Sequence, residues 1–113
     1  MSQTPPLKPA VFHILMSLAA GDRHGLGIQD EVEELTGGAV QLPPGTLYRC
    51  LKEMAAGGLI REVRSPGAGA DPRRRYYSLS APGRAVLEAE VARMDRLARL
   101  ARRRGVRPAQ AHS

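Results

Sequence analysis

The stretch LPPGTLYRCLKEMAAGGLI, residues 42–60, holds the start, body and end of one short helix. Proline suits a first helical turn because its missing N–H would be unpaired there anyway, so Pro43 and Pro44 mark the start. Leu47, Leu51 and Met54 follow at i, i+4 and i+7, an apolar stripe with Ala55 beside it, while Thr46, Arg49, Lys52 and Glu53 occupy other faces. Gly57 and Gly58 end the helix and an apolar pair begins something strand-like. A helix with such sharp limits, anchored by one stripe, is expected to present its other side to a partner.

Working outward, Leu7, Val11, Ile14, Leu15 and Leu18 recur at helical spacing until Gly21, which predicts a first helix. HGLGIQDEVEELTGG predicts a second, with Ile28, Val32 and Leu35 on one face, acids elsewhere and Gly37 and Gly38 closing it. After the quoted helix, LIREVRS and RRYYSLS each have strand length, and PGAGADP between them reads as a turn-forming loop. Strand alternation puts Tyr77 and Leu79 on the core face, Tyr76 on the other, and Arg74 opposite Arg73 and Arg75. Ser80 is the expected N-cap of a last helix, with Pro82 in its first turn. Along it Leu87, Val91, Met94, Ala98 and Ala101 form a stripe widened by Val86, Leu97 and Leu100. Two dozen helical residues extend roughly 36 Å, too far for so small a body to cover, so part of this face is expected to pack on a second copy. The dimerisation set is Leu87, Val91, Met94, Leu97, Ala98 and Ala101.

The expected organisation is a flexible start (1–6), a domain over 7–80, a dimerisation helix over 81–105 and a disordered tail over 106–113. Three helices, two strands and a closing helix is the order of a winged helix-turn-helix: mostly α with a small β-hairpin, an α+β arrangement. The low aromatic content, 4%, agrees with a core of Leu, Val, Ile, Ala and Met between helices.

Charge is divided along the chain. Residues 1–60 hold four Lys or Arg against six acids, whereas residues 61–113 hold thirteen Arg against five. An arginine-rich half points to phosphate or to an acidic partner. A lone Cys50 makes no internal disulfide, and the early apolar run lacks a basic leader and the length to span a bilayer. A soluble, cytoplasmic protein without a membrane partner is the expectation. His13, His24, His112 and Cys50 have no metal-ligand spacing, GAGADP lacks the Lys of a phosphate loop, and no paired acid and base groups stand out. No metal, cofactor or enzymatic activity is expected.

LKPAVFHILMSLAAGDRHGLGIQDEVEELTGG, LPPGTLYRCLKEMAAGGLI and RRRYYSLSAPGRAVL together resemble the PadR-like transcriptional regulators. The shared features are His-Gly-x-Gly-Ile opening helix two, Pro-Gly-Thr-Leu-Tyr opening helix three, and Arg-Tyr-Tyr-x-Leu followed by Gly83. The resemblance covers roughly residues 7–90 and departs at Leu26, where members often carry Tyr. It implies a winged-helix homodimer that binds double-stranded operator DNA, usually as a repressor, and resembles the compact subgroup with one C-terminal helix. Related regulators sense small aromatic effectors, although one Phe and no Trp here form no obvious pocket pattern.

The candidate DNA-binding residues divide among three elements. His24 and Gly25 open helix two, whose free N–H groups can bind a phosphate. Arg49 and Lys52, three apart, should face one groove, and the Arg49 fork matches guanine. Tyr48 reads as a phosphate or base contact or as a cover for the core edge, and Thr46 as a contact or a cap. Arg73, Arg74 and Arg75 are adjacent charges that repel unless an anion approaches. A solvated stripe beside the apolar seam accounts for the Arg93–Arg104 cluster, a second nucleic-acid surface being the alternative. Cys50 reads as a small core residue. The rival function is a winged-helix module that docks on an acidic protein.

Overall fold

The computed structural model describes residues 5–64, 71 and 73–109. In chain order it contains α1 (Pro9–Ala19), β1 (Arg23–His24), α2 (Gly25–Thr36), α3 (Pro44–Ala56), β2 (Ile60–Val63), β3 (Tyr76–Leu79) and α4 (Ala81–Arg103). Four helices with a small antiparallel sheet make an α+β winged helix. Residues 1–4 of the expected flexible start, most of the 66–72 loop and residues 110–113 of the expected tail lie outside the described residues.

The helix limits follow the local chemistry. Pro43 is the N-cap of α3 with Pro44 inside its first turn, and Gly57 caps the other end. Gly58 then takes φ +79°, a conformation that strongly favours glycine, to turn the chain into β2. Gly37, at φ 60°, closes α2 in the left-handed conformation and returns its N–H to Glu33 and Glu34 carbonyls. Ser80 accepts from the Gly83 N–H at 3.0 Å, which starts α4 as expected.

One core joins the elements. Ile14, Leu15 and Leu18 of α1 meet Ile28 and Val32 of α2, Leu47, Leu51 and Met54 of α3, Ile60 of β2, Tyr77 of β3 and Leu87 of α4. Each fully buried Leu or Ile contributes about 1.5–3 kcal/mol relative to exposure, so the apolar stripe of α3 fixes which of its faces remains outside. Gln29 of α2 donates to the Leu42 carbonyl, tying α2 to the segment that leads into α3. Cys50 is half-buried against the same core.

Several expectations need correction. The sheet has three strands, in the order β1-β3-β2, because Arg23 and His24 pair with Tyr77 and Tyr76. Leu35 is 49% exposed; its direction suits the stripe, but the last turn of α2 is left uncovered. Tyr76 is as buried as Tyr77, because the sheet face opposite the core is covered by the His24 ring, edge-on at 5.4 Å. Arg73–Arg75 precede β3 in a turn, so strand alternation does not separate them.

The start of α4 lies unusually close to the exit of α3. The Ser80 hydroxyl donates to the Gly58 carbonyl at 2.6 Å, and the Ser80 N–H donates to the Leu59 carbonyl at 3.2 Å. A Cβ on Gly83 would collide with that Leu59 carbonyl. Farther along, buried Glu90 accepts two hydrogen bonds from Arg93, at 2.8 and 2.9 Å, and one from the Leu7 N–H at 3.2 Å. The Arg93 guanidinium, helped by the Leu7 N–H, holds the Glu90 carboxyl below its ordinary value against the opposing effect of burial. No helix among the described residues is long and apolar enough to cross a membrane.

The collision at Gly83 involves backbone on both sides, which no rotamer change relieves. Gly83→Ala should therefore destabilise the fold by about 1–3 kcal/mol or more, read as a lower urea midpoint with an unchanged m-value. An unchanged midpoint would show that the two backbones can separate freely.

Candidate nucleic-acid interface

The exposed side of α3 and the turn before β3 stand on either side of the N-terminus of α2. Between them is a cleft of about 310 Å³ lined by His24, Gly25, Leu26, Tyr48, Arg73, Arg74 and Arg75. Six of these seven residues were singled out from the sequence for this role, and the fold brings all six together. Leu26, where a phenol was expected from the family pattern, is 48% exposed at the rim. Arg49 and Lys52 are exposed on α3 and Thr46 is half-buried, outside this cleft. Thr46 does not cap α3, since that helix has no side-chain cap.

Tyr48 is 52% exposed, yet its ring rests on the backbone of Gly25, which is buried. A Cβ at Gly25 would stand 2.8 Å from the Tyr48 hydroxyl. Glycine there lets α3 and the start of α2 approach, and it holds the phenol at the mouth of the cleft. The covering role and an outward-facing hydroxyl are thus compatible in one side chain.

His24 is committed to the structure. Its Nδ1 accepts the Gly27 N–H at 3.0 Å, capping α2, so this N–H is not free for an outside anion. Arg74 lies 3.3 Å from both ring nitrogens.

Asp71 organises the turn, a role the sequence reading missed. It accepts the Arg73 N–H at 2.9 Å, an aspartate hydrogen-bonding its own backbone two residues on. The Arg73 and Arg74 guanidinium groups approach it at 3.3 and 3.6 Å, and the Asp71 N–H donates to the Tyr76 hydroxyl at 3.2 Å. The Arg73 hydrogen bonds, backbone first, hold the Asp71 carboxyl below its ordinary value. Arg75 approaches Glu62 of β2 at 3.7 Å. These pairs are weak where the arginine is as open as Arg73, whose side chain is 89% exposed, and they exchange readily with another anion.

Of the residues expected to form a dimer seam on α4, Val91, Met94 and Leu97 are 40–47% exposed. Ala98 is exposed and Ala101 half-buried. Leu87 departs from this group: it is buried in its own core, because α4 still lies on α1 at that turn. Among the described residues no group of three His, Cys, Asp or Glu could hold a metal ion.

With this geometry in view, the comparisons are consistent. The model of the transcriptional regulator PadR-like family matches residues 14–89. The chain belongs to that family. A PadR family transcription regulator from hypervirulent Clostridium difficile R20291 superposes with TM-score 0.70 at 26% identity, over 85% of this chain and 97% of that one. RosR from H. salinarum gives TM-score 0.63 at 27% identity, over 78% and 74%. Bacillus subtilis PadR, solved in complex with operator DNA, gives TM-score 0.61 at 23% identity, over 72% and 45%, which supports the fold alone. No curated protein sequence matches the chain.

Replacing the cap isolates the structural part of His24. His24→Ala should cost about 1 kcal/mol of stability and free Arg74, seen as a lower thermal midpoint with loss of amide protection at Gly27. A variant with wild-type midpoint and protection would show that water replaces the imidazole without cost.

Proposed function

We propose that this protein is a sequence-specific repressor that binds double-stranded operator DNA as a homodimer. The observation that carries the reading is the two-sided character of α3. Leu47, Leu51 and Met54 are buried, while Tyr48, Arg49 and Lys52 face solvent beside the arginines of the wing turn. A helix anchored this way can enter a major groove and present its first turns to base edges.

In this reading Arg49 reads a guanine with its fork, and Lys52 and Tyr48 position the helix through phosphates, with Thr46 beside them. His24 and Gly25 take part through the α2 start they shape: His24 orients Arg74, and Gly25 seats Tyr48. Arg73, Arg74 and Arg75 exchange their carboxylate partners, half-buried Asp71 and exposed Glu62, for backbone phosphates. Residues 7–80 form the reading domain. The α4 helix pairs through Val91, Met94, Leu97, Ala98 and Ala101, which would set the half-sites about one turn, 34–36 Å, apart. The repressive sign is supported by the family resemblance. A small aromatic effector would act through different affinities for two dimer arrangements.

Arg49→Ala should weaken binding to the operator by about 1–3 kcal/mol and relax the base preference at one position. Fluorescence anisotropy on the operator and its single-base variants reads both; equal affinity in wild type and variant would remove Arg49 as the base reader. Leu97→Asp should shift the sedimentation mass from dimer to monomer at low micromolar protein. A dimer that persists in the variant would place the seam elsewhere.

A further inference from the structure

The net charge has a sharper location than a division into halves reveals. Residues 1–90 contain ten Lys or Arg and ten Asp or Glu, while residues 91–113 contain seven arginines against Asp95 alone. The whole formal charge of +6 therefore belongs to the end of α4 and the residues after it. That part leaves the body gradually: among the described residues none beyond Glu90 is buried, although half-buried Arg93 still pairs with Glu90 and Arg96 still borders the segment at Pro5 and Leu7.

The arginines are arranged, not scattered. At about 100° per residue, Arg96, Arg99 and Arg103 fall on the side of the helix opposite Met94, Leu97 and Ala101, whereas Arg102 lies at the margin of the apolar face beside Val91 and Ala98. Arg96, Arg99, Arg102 and Arg103 together line a groove of about 480 Å³. Asp95 approaches Arg99 at 3.4 Å, through side chains more than 60% exposed, and is the only carboxylate side chain of residues 91–113. Arg102 and Arg103 lie in the last turn, where cations favour the helix dipole. That effect fades within a turn and does not account for Arg96, while Arg99 has only the exposed Asp95 for a partner. Like charges at i, i+3 and i, i+4 destabilise a helix until an anion comes between them.

We propose that this stripe is a second nucleic-acid surface, which grips DNA phosphates outside the footprint of α3. It rests on the operator-binding reading above. Arg96, Arg99 and Arg103 lie opposite the apolar seam, so in a dimer each arm carries these charges outward, away from its partner, with Arg102 beside the seam. A row of guanidinium groups on one helix, with almost no carboxylate, suits the evenly charged backbone of a duplex, which offers one negative charge about every 1.7 Å. The phosphates could belong to flanks of the bound operator or to a second duplex.

The test uses the full chain, a minimal operator duplex and the same duplex extended by about one helical turn, 10 bp, at each end. Wild type should bind the extended duplex more tightly and with a steeper dependence on salt. R96Q/R102Q/R103Q should lose that increment, about 0.9 in logarithmic salt slope for each phosphate no longer neutralised, and keep its affinity for the minimal operator. R96K/R102K/R103K, which keeps the charge, should retain most of it. If a second duplex supplies the phosphates, sedimentation of wild type should show complexes with two duplexes that the glutamine variant cannot form. Equal salt slopes and equal complexes for wild type and the glutamine variant would overturn the proposal. If wild type binds every duplex alike, yet through these arginines, the operator reading fails and the arm stands. If it binds no duplex, both fall.

Discussion

The close approach of Gly83 to the Leu59 carbonyl is the constraint on which the rest of the geometry depends. Leu59 is where the chain leaves α3 for the wing, and Gly83 is in the first turn of α4, so this one contact joins three parts. Ser80 secures it twice, through its hydroxyl on the Gly58 carbonyl and its N–H on the Leu59 carbonyl. With Gly58 at positive φ below and no Cβ on Gly83 above, α4 starts directly over the end of α3. Its next turns then bring Leu87 into the core and Glu90 to the Leu7 N–H. A side chain at Gly83 would push α4 away from the exit of α3 and so change the angle on which a two-headed reader depends.

The other end of the candidate interface is joined by softer links. Asp71 holds Arg73 and Arg74, Arg74 lies on His24, and His24 caps α2 at Gly27. Each link is a partly exposed polar contact worth little alone. The same quality makes them replaceable by phosphate, while the buried Tyr76 ring and its hydroxyl keep the turn near α2 during any exchange. The site thus combines a helix fixed by its core stripe with a wing turn whose charges can be redirected.

Much of this was legible in the residues, and the exceptions share a cause. Pro43 and Pro44, paired glycines and Ser80 marked the helix limits because capping is local chemistry. The α3 stripe was legible because three residues at helical spacing leave little choice of face. β1 escaped notice because two residues, one of them Arg23, carry no strand pattern; the pairing is created by β3, about fifty residues away in sequence. Leu35 and Leu87 have the right periodicity, but periodicity gives a direction and not the neighbour that lies there. Leu35 points past the end of its neighbours, and Leu87 meets its own core before the seam begins. Asp71 carried the signal of an aspartate two residues before a turn, overshadowed by the arginines beside it.

The charge pattern bears on how such a protein would discriminate. A reading face placed on a strongly positive body would hold any duplex by its phosphates and gain little from the right bases, since phosphate attraction is independent of sequence. Here the first ninety residues carry no net charge, and the wing arginines begin with Asp71 and Glu62 for company. On the operator-binding reading, phosphate attraction there is confined to Lys52, Tyr48 and the wing arginines, so a mismatch at a base edge, about 1–3 kcal/mol, weighs more in the total. The excess charge is displaced to the α4 arm, where it can add affinity without competing with the readout.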